Sequence, residues 1–307
     1  MGELVDPMAS VRAYLAAEKS DNTRRAYRTD FDHYTAWCDS QELQALPGSA
    51  ETVARYLAFL ADSGLKPSTI ERRRAAIRYA HKAGGYEPPT AAEGVKATMR
   101  GIRRTKRSRI VRKAPATSER IVQMLSALPD NLIGRRDRAL LLIAFAAALR
   151  RSELVALDVL DVDWFDAGIV ITLQRSKTDQ EGRGRTIAVP NGSKLTPVDA
   201  LQFWLVSADI REGPIFRGVD RHGRVSKEAL TDRSVARIIK RAAKAAGLDE
   251  TAFSGHSPRA GFVTQALTDK VDPFKIMTVT GHRKVDTLKI YDRRDAGLQD
   301  PAGKDFL

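Results

Sequence analysis

The sequence predicts a mainly α protein: an all-α amino-terminal domain, then an α+β domain, mostly helical, with one small antiparallel sheet. Three observations predict it. Across the first hundred residues apolar side chains recur three or four apart, and no strand pattern appears. A basic run without acids, Lys96 to Lys113, then interrupts the pattern. Beyond it, two short β-rich runs stand among helix signals. A chain of 307 residues is long enough for two cores of its own making.

Residues 1–8 read as a loose leader and Ser10 to Lys19 as a short helix. Asp21 or Asn22 caps a longer helix to about Asp39, with Tyr27, Phe31, Tyr34 and Trp37 along one face. Ser49 or Ala50 opens the next, which carries Val53, Tyr56, Leu57 and Leu60 and stops at Gly64. Two capping boxes follow, in which a hydroxyl and a carboxylate would satisfy each other's neighbouring amides. Ser68 to Glu71 starts a helix that closes at Gly84-Gly85, and Thr90 to Glu93 starts another. The basic run resists packing and reads as a linker. The expected division is 1–102 for the first domain, 103–115 for the linker, 116–291 for the second domain and 292–307 for a tail.

In the second domain Pro115 and Thr117 open the first helix, and Leu132 to Leu149 reads as a helix buried on most sides. Ile169–Leu173 and Thr186–Val189 form a hairpin through the polar turn Thr178–Gly184, with Asp158 to Trp164 as a third strand. Thr196-Pro197, Ser257-Pro258 and Asp272-Pro273 each pair a cap with a proline at the first helical position. Thr231 caps a basic helix that ends at Gly247, and Gly281 closes the helix begun near Asp272.

The formal net charge of +13 and pI near 9.9 favour a polyanionic partner, with nucleic acid first. An anionic membrane is the weaker choice. No lipidation motif is visible, and the longest apolar run, Ala139 to Leu149, is too short to span a bilayer. The amino terminus has no basic start or apolar signal core. The lone Cys38 excludes an internal disulfide, fits a reducing cytoplasm and reads as a packed thiol. There is no His-x-x-x-His, no Cys pair, no metal-spaced acid cluster and no Gly-x-x-x-x-Gly-Lys-Ser/Thr loop, so neither metal nor nucleotide cofactor is expected. Candidate DNA contacts are Arg72, Arg73, Arg74 and Arg78 on one helix, and Arg103, Arg104, Lys106 and Arg107 in the basic run. A solvated helix face and a plain linker or localisation signal are the competing readings.

Any chemistry on a phosphodiester of such a partner without metal would require fixed cations around the charge that gathers on the phosphate oxygens. Arginine suits this, because a guanidinium bridges two oxygens. Arg150 follows the buried helix, and Glu153, three residues on, can orient its guanidinium or a neighbouring group; the alternative is an ordinary helix cap. His256 lies at the mouth of the helix opened by Ser257-Pro258, with Arg259 one turn in, and a helix mouth favours an anion. Lys177 stands at the mouth of the hairpin, where a solvated turn lysine is equally natural. His282 follows Gly281. Tyr291 is the only tyrosine after Tyr86; phenol is a poor nucleophile unless neighbouring cations favour phenolate.

The ordered set Arg150, Lys177, His256-x-x-Arg259, His282, Tyr291 resembles the tyrosine recombinases, the integrase family. Its His256-Ser257-x-Arg259-x-Gly261 form resembles the Cre-type branch most. The resemblance spans nearly the whole chain. It implies an all-α core-binding domain joined to a catalytic domain of the DNA breaking-rejoining fold. It implies Arg150 and Arg259 as phosphate clamps, His256 as proton acceptor or hydrogen-bond partner, His282 as donor to a phosphate oxygen, Lys177 as general acid and Tyr291 as nucleophile. The implied product is a 3′-phosphotyrosyl link, made by a homotetramer on an inverted-repeat DNA site and passing through a Holliday junction. It also implies a tail that docks on a neighbouring subunit. Departures are Ala148 where the family more often has Gly, and Pro258 and Ala260 where it more often has Leu and His. A type IB topoisomerase and a non-catalytic DNA-binding regulator stay open beside this reading.

Overall fold

The computed structural model describes residues 19, 21–106, 112–174 and 184–291. The chain divides into two units, Met1–Val111 and Arg112–Leu307.

The first unit holds α1 (Asp21–Ser40), α2 (Ala50–Asp62), α3 (Pro67–Ala83) and α4 (Glu93–Thr105), with no strand among its described residues. Tyr34, Cys38, Val53, Tyr56, Leu57, Leu60, Ile70, Ile77, Val95 and Met99 form its core. The aromatic face of α1 packs as its spacing predicts: Tyr34 and Trp37 meet Tyr56 at centroid distances of 5.0 and 5.2 Å. Ser49 caps α2 by accepting from the Thr52 amide, and Gly64, at φ +82°, turns the chain away from it. Buried His81 donates from Nδ1 to the Ile77 carbonyl and accepts the Gly48 amide at Nε2, both at 2.9 Å, which pins the loop before α2 to α3.

Neither expected capping box forms. α3 starts one residue earlier, at Pro67, whose fixed φ suits a first helical position and which has no amide hydrogen to satisfy. Glu71 turns instead to Arg74 and Arg103. Thr90 is buried in a 3-10 turn, and Glu93, the first residue of α4, pairs with Arg100. Much of the basic run is likewise helix rather than linker. Val95, Met99 and Ile102 face the core at helical spacing, so Lys96, Arg100, Arg103 and Arg104 fall on the exposed side and need not pack. The unit boundary lies inside the expected 103–115 linker, but α4 takes its first three residues. The helix expected before Lys19, and Arg107, lie outside the described residues.

The second unit is organised around α6 (Leu132–Ala146), in which Ala139 to Phe145 are all buried. α5 (Ser118–Ser126) precedes it and α7 (Arg151–Val155) follows. α6 ends three residues before the expected Leu149, because Ala148 takes φ +47° and Leu149-Arg150 run on outside the helix. The strands β1 (Val162–Phe165), β2 (Gly168–Leu173) and β3 (Arg185–Pro190) form an antiparallel sheet in that order. Ile171 pairs with Val162 on one side and Ile187 on the other. β1 starts later than Asp158, which caps a 3-10 turn over Val159–Asp161. Of the expected turn Thr178–Gly184, all but Gly184 lies outside the described residues.

α8 (Pro197–Ser207) packs on α6, and then comes a second hairpin, β4 (Arg217–Val219) with β5 (Val225–Ala229). The sequence reading expected one sheet. β4 is three residues long and β5 is mostly exposed, so neither shows the alternation that marks a half-buried strand. α9 (Asp232–Ala245) is capped by Thr231, which accepts from the Ser234 amide. α10 (Ser257–Thr268) starts with Ser257 already helical, so His256 and not Ser257 holds the cap position. α11 (Pro273–Thr280) is capped by Asp272, and α12 (Asp286–Lys289) ends just before Tyr291. Among the described residues no helix is long and apolar enough to cross a membrane. The tail, 292–307, lies outside them.

Candidate active site

Five short pieces of the second unit converge: the break after α6, the start of α7, the first turn of α10, the end of α11 and the second residue after α12. Arg150 holds the cap position of α7. Its amide donates to Glu153 Oε2 at 2.8 Å and its Nη1 to Oε1 at 2.5 Å. Glu153 is buried, so one carboxylate fixes both the main chain and the guanidinium of Arg150.

Arg259 is only 1% exposed. It donates through Nη1 to the Ala148 carbonyl and through Nη2 to the Thr280 carbonyl, both at 2.6 Å. The left-handed turn at Ala148 is what presents its carbonyl to this guanidinium. Burial, with repulsion from Arg150, pushes the Arg259 pKa down to about 10, which leaves it charged at neutral pH.

The same Nη2 lies 3.1 Å from His282 Nε2. Arginine only donates, so Nε2 accepts and the ring proton sits on Nδ1. Nδ1 donates to Thr280 Oγ1 at 3.0 Å, and that hydroxyl donates to the Ile276 carbonyl at 2.8 Å. Gly281, at φ +67°, caps α11 and swings His282 back into the cluster. Burial first, then Arg259 and Arg150, push the His282 pKa down to about 4.

His256 Nε2 lies 2.9 Å from the Tyr291 hydroxyl. One edge of His256 faces solvent, but the packed atoms around the rest strip its hydration, and Arg259, Arg150 and Arg151 repel a proton. Its pKa falls to about 4. At neutral pH the ring is therefore uncharged and able to take a proton from the phenol. Tyr291 stands between both imidazoles, with ring centroids 6.1 Å from His256 and 5.8 Å from His282. Gly261 closes the motif for a packing reason: a Cβ there would lie 1.8 Å from the Ala116 carbonyl oxygen. Among the described residues no group of three or more His, Cys, Asp or Glu side chains could hold a metal ion.

The phage integrase family signature matches residues 116–297, the stretch that builds this cluster. The chain belongs to the phage integrase family, the tyrosine recombinases. It is a site-specific recombinase of the tyrosine type. The N-terminal SAM-like domain of phage integrases matches residues 12–83. An integrase/recombinase xerD homolog of Selenomonas ruminantium is 38% identical over 275 residues, covering 88% of this chain and 80% of its own. Recombinase cre of Escherichia phage P1 is 25% identical over 279 residues, covering 85% of this chain and 80% of its own, so the likeness to Cre holds at the level of the family. The Tn1549 transposon integrase in complex with transposon right end DNA shares the fold, with a TM-score of 0.63 over 92% of each chain at 13% identity.

The structure of this recombinase thus brings together Arg150, Glu153, His256, Arg259, His282 and Tyr291. Lys177 lies outside the described residues. In the first unit the arginines singled out from the sequence fare unequally. Buried Asp30 takes Arg72 in two bonds, at 2.7 and 2.9 Å, and lies 3.7 Å from Arg73. Glu71 takes Arg74 and Arg103, at 2.5 and 2.7 Å. Arg78, Arg104 and Lys106 are exposed.

Sequence reasoning missed Arg185. Its guanidinium donates to the Val279 carbonyl at 2.6 Å and lies 3.6 Å from Glu153. A signal was present. Arg185 shares strand parity with Ile187 and Val189, both buried, so alternation turns its side chain inward.

Proposed function

We propose that this recombinase cuts and rejoins double-stranded DNA through a covalent bond between Tyr291 and a 3′-phosphate. The observation that carries the reading is the 2.9 Å contact between His256 and the Tyr291 hydroxyl, set beside buried Arg259. Tyr291 gives its proton to His256 and attacks phosphorus. The bond from phosphorus to the 5′-oxygen breaks, and Lys177, assigned by its place in the family motif, protonates the departing oxygen. Arg150 and Arg259 meet the charge on the non-bridging oxygens, a task that a metal ion performs elsewhere. His282 supplies a further hydrogen bond there.

The phosphotyrosyl link keeps the energy of the broken phosphodiester. Attack by a 5′-hydroxyl reverses the step, so rejoining needs no ATP. Two rounds of exchange between paired duplexes pass through a Holliday junction and call for four copies of Tyr291, hence a homotetramer. Symmetry between paired subunits calls for an inverted repeat in the DNA. Residues 1–102 act as the core-binding domain; Arg78 of that domain and Arg104, Lys106 and Arg107 of the basic run after it meet phosphates, while Arg72, Arg73, Arg74 and Arg103 reach DNA only by sharing or leaving Asp30 and Glu71. The tail, 292–307, docks on a neighbouring subunit.

Tyr291→Phe removes one oxygen and nothing else. The variant is expected to bind DNA as the native protein does and to give no adduct that survives boiling in detergent. An adduct formed by the Phe variant sinks the reading.

A further inference from the structure

Arg185 is more deeply engaged than a strand-end arginine needs to be. Its side chain is 15% exposed, and its Nε and Nη2 are buried with no hydrogen-bond partner among the described residues. Leaving a buried donor unmet costs on the order of 1–3 kcal/mol, so such a group calls for a reason. Nη2 lies 3.6 Å from Glu153 Oε2, the oxygen that takes the Arg150 amide. Nη1 donates to Val279, two residues before Gly281. Gly281 leaves the room: a Cβ there would lie 2.7 Å from Nη1. One guanidinium therefore touches both the carboxylate that aims Arg150 and the helix end that carries His282.

The charges make the sharper point. Arg150 and Arg185 share the single carboxylate of Glu153. Left to Arg150 alone, Glu153 would cancel much of the charge that Arg150 is to present. Divided between two guanidiniums it orients both and cancels neither. Burial, with repulsion from Arg150, lowers the Arg185 pKa against the pull of Glu153, as expected for cations crowded without enough counter-charge. Its Nε and Nη2 are closed to solvent, so Arg185 acts through Glu153 and through space, not by touching a ligand.

We propose that Arg185 is a positioning residue of this recombinase: it holds Glu153 at Oε2 while the Arg150 guanidinium takes Oε1, so that the Arg150 charge stays available to the scissile phosphodiester. The proposal rests on the reading that a DNA phosphodiester enters this pocket. Two variants separate charge from packing. Arg185→Gln keeps an amide donor for Val279 and loses the charge; Arg185→Lys keeps the charge and loses the fork.

The measurement is the rate of strand cleavage at saturating DNA, on a phosphodiester substrate and on one with a neutral methylphosphonate at the cleaved position. On the phosphodiester, Arg185→Gln is expected to be about 100-fold slower than native and Arg185→Lys less than about tenfold slower. On the methylphosphonate, which has no charge to balance, the Gln variant is expected within about fivefold of native. A Gln variant as fast as native, a loss of equal size on both substrates, or a Lys variant as slow as Gln overturns the proposal. If the Gln variant does not fold, the Lys variant decides: a loss of about 100-fold on the phosphodiester overturns it, and retention within about tenfold upholds it. Cleavage by the native protein and not by Tyr291→Phe tests the underlying reading, while the variant-to-native ratio tests Arg185 alone.

Discussion

Arg259 donates to His282 Nε2 at 3.1 Å, and this places the imidazole proton on Nδ1. The ring is thus an acceptor toward the guanidinium. To give a hydrogen bond to a phosphate it must gain a proton at Nε2, and only an arriving anion makes that favourable.

The first prediction concerns pH. His256 and His282 both have pKa values lowered to about 4, below the 6.5 of an unfolded histidine. Between 6.5 and 4 the unfolded chain therefore binds more protons at these sites than the folded one. Their contribution to stability is complete above 6.5 and is lost as pH falls toward 4. In an NMR titration of the free protein neither ring should titrate above about pH 5. A midpoint near 6 for either would contradict the account. Binding of uncleaved DNA by Tyr291→Phe should take up protons near neutral pH, as His282 meets a phosphate.

His256→Ala removes the proposed proton acceptor and leaves the two arginines in place. Adduct formation at saturating DNA should slow by about 10²–10⁴-fold, with DNA affinity nearly unchanged. A rate within a few-fold of native would show that the phenol finds another base.

Ala148 sits at φ +47°. A left-handed conformation costs an L-residue about 1–2 kcal/mol, and glycine escapes that cost while losing about 0.4–1 kcal/mol to the freedom of its unfolded chain. Ala148→Gly should therefore raise stability slightly, by about 0.5 kcal/mol in urea unfolding. A clear destabilisation would show that the buried Ala148 methyl group matters more than the strain.

Gly261→Ala should do the opposite. A Cβ 1.8 Å from the Ala116 carbonyl oxygen meets backbone that cannot step aside. The expected loss is about 3 kcal/mol, read as a lowered unfolding midpoint of the second unit. An unchanged midpoint would mean that α10 shifts freely against Ala116.

The helices show how far local chemistry reaches. Asp272-Pro273 and Gly281 bracket α11 in the sequence as they do in the fold, because a cap, a fixed φ and a left-handed turn are properties of a few adjacent residues. The capping boxes at Ser68 and Thr90 failed for a related reason: Pro67 starts α3 early, and Glu71 and Glu93 find arginines along the helix or across the unit. The basic run from Lys96 looked unpackable until its three apolar residues are counted on one face. Strands β4 and β5 were silent because almost nothing in them is buried.

By itself the sequence determined the family and the two-part helical plan, and it singled out Arg150, Glu153, His256, Arg259, His282 and Tyr291, which the fold brings together, since each rests on residue type and short spacing. The tertiary structure decided what those residues do to one another. Arg259 reaches Ala148 across 111 positions of sequence and His256 reaches Tyr291 across 35. The proton on His282, the lowered imidazole pKa values and the place of Arg185 beside Glu153 all follow from burial and from charges that meet only once the chain has folded, and no local pattern encodes them.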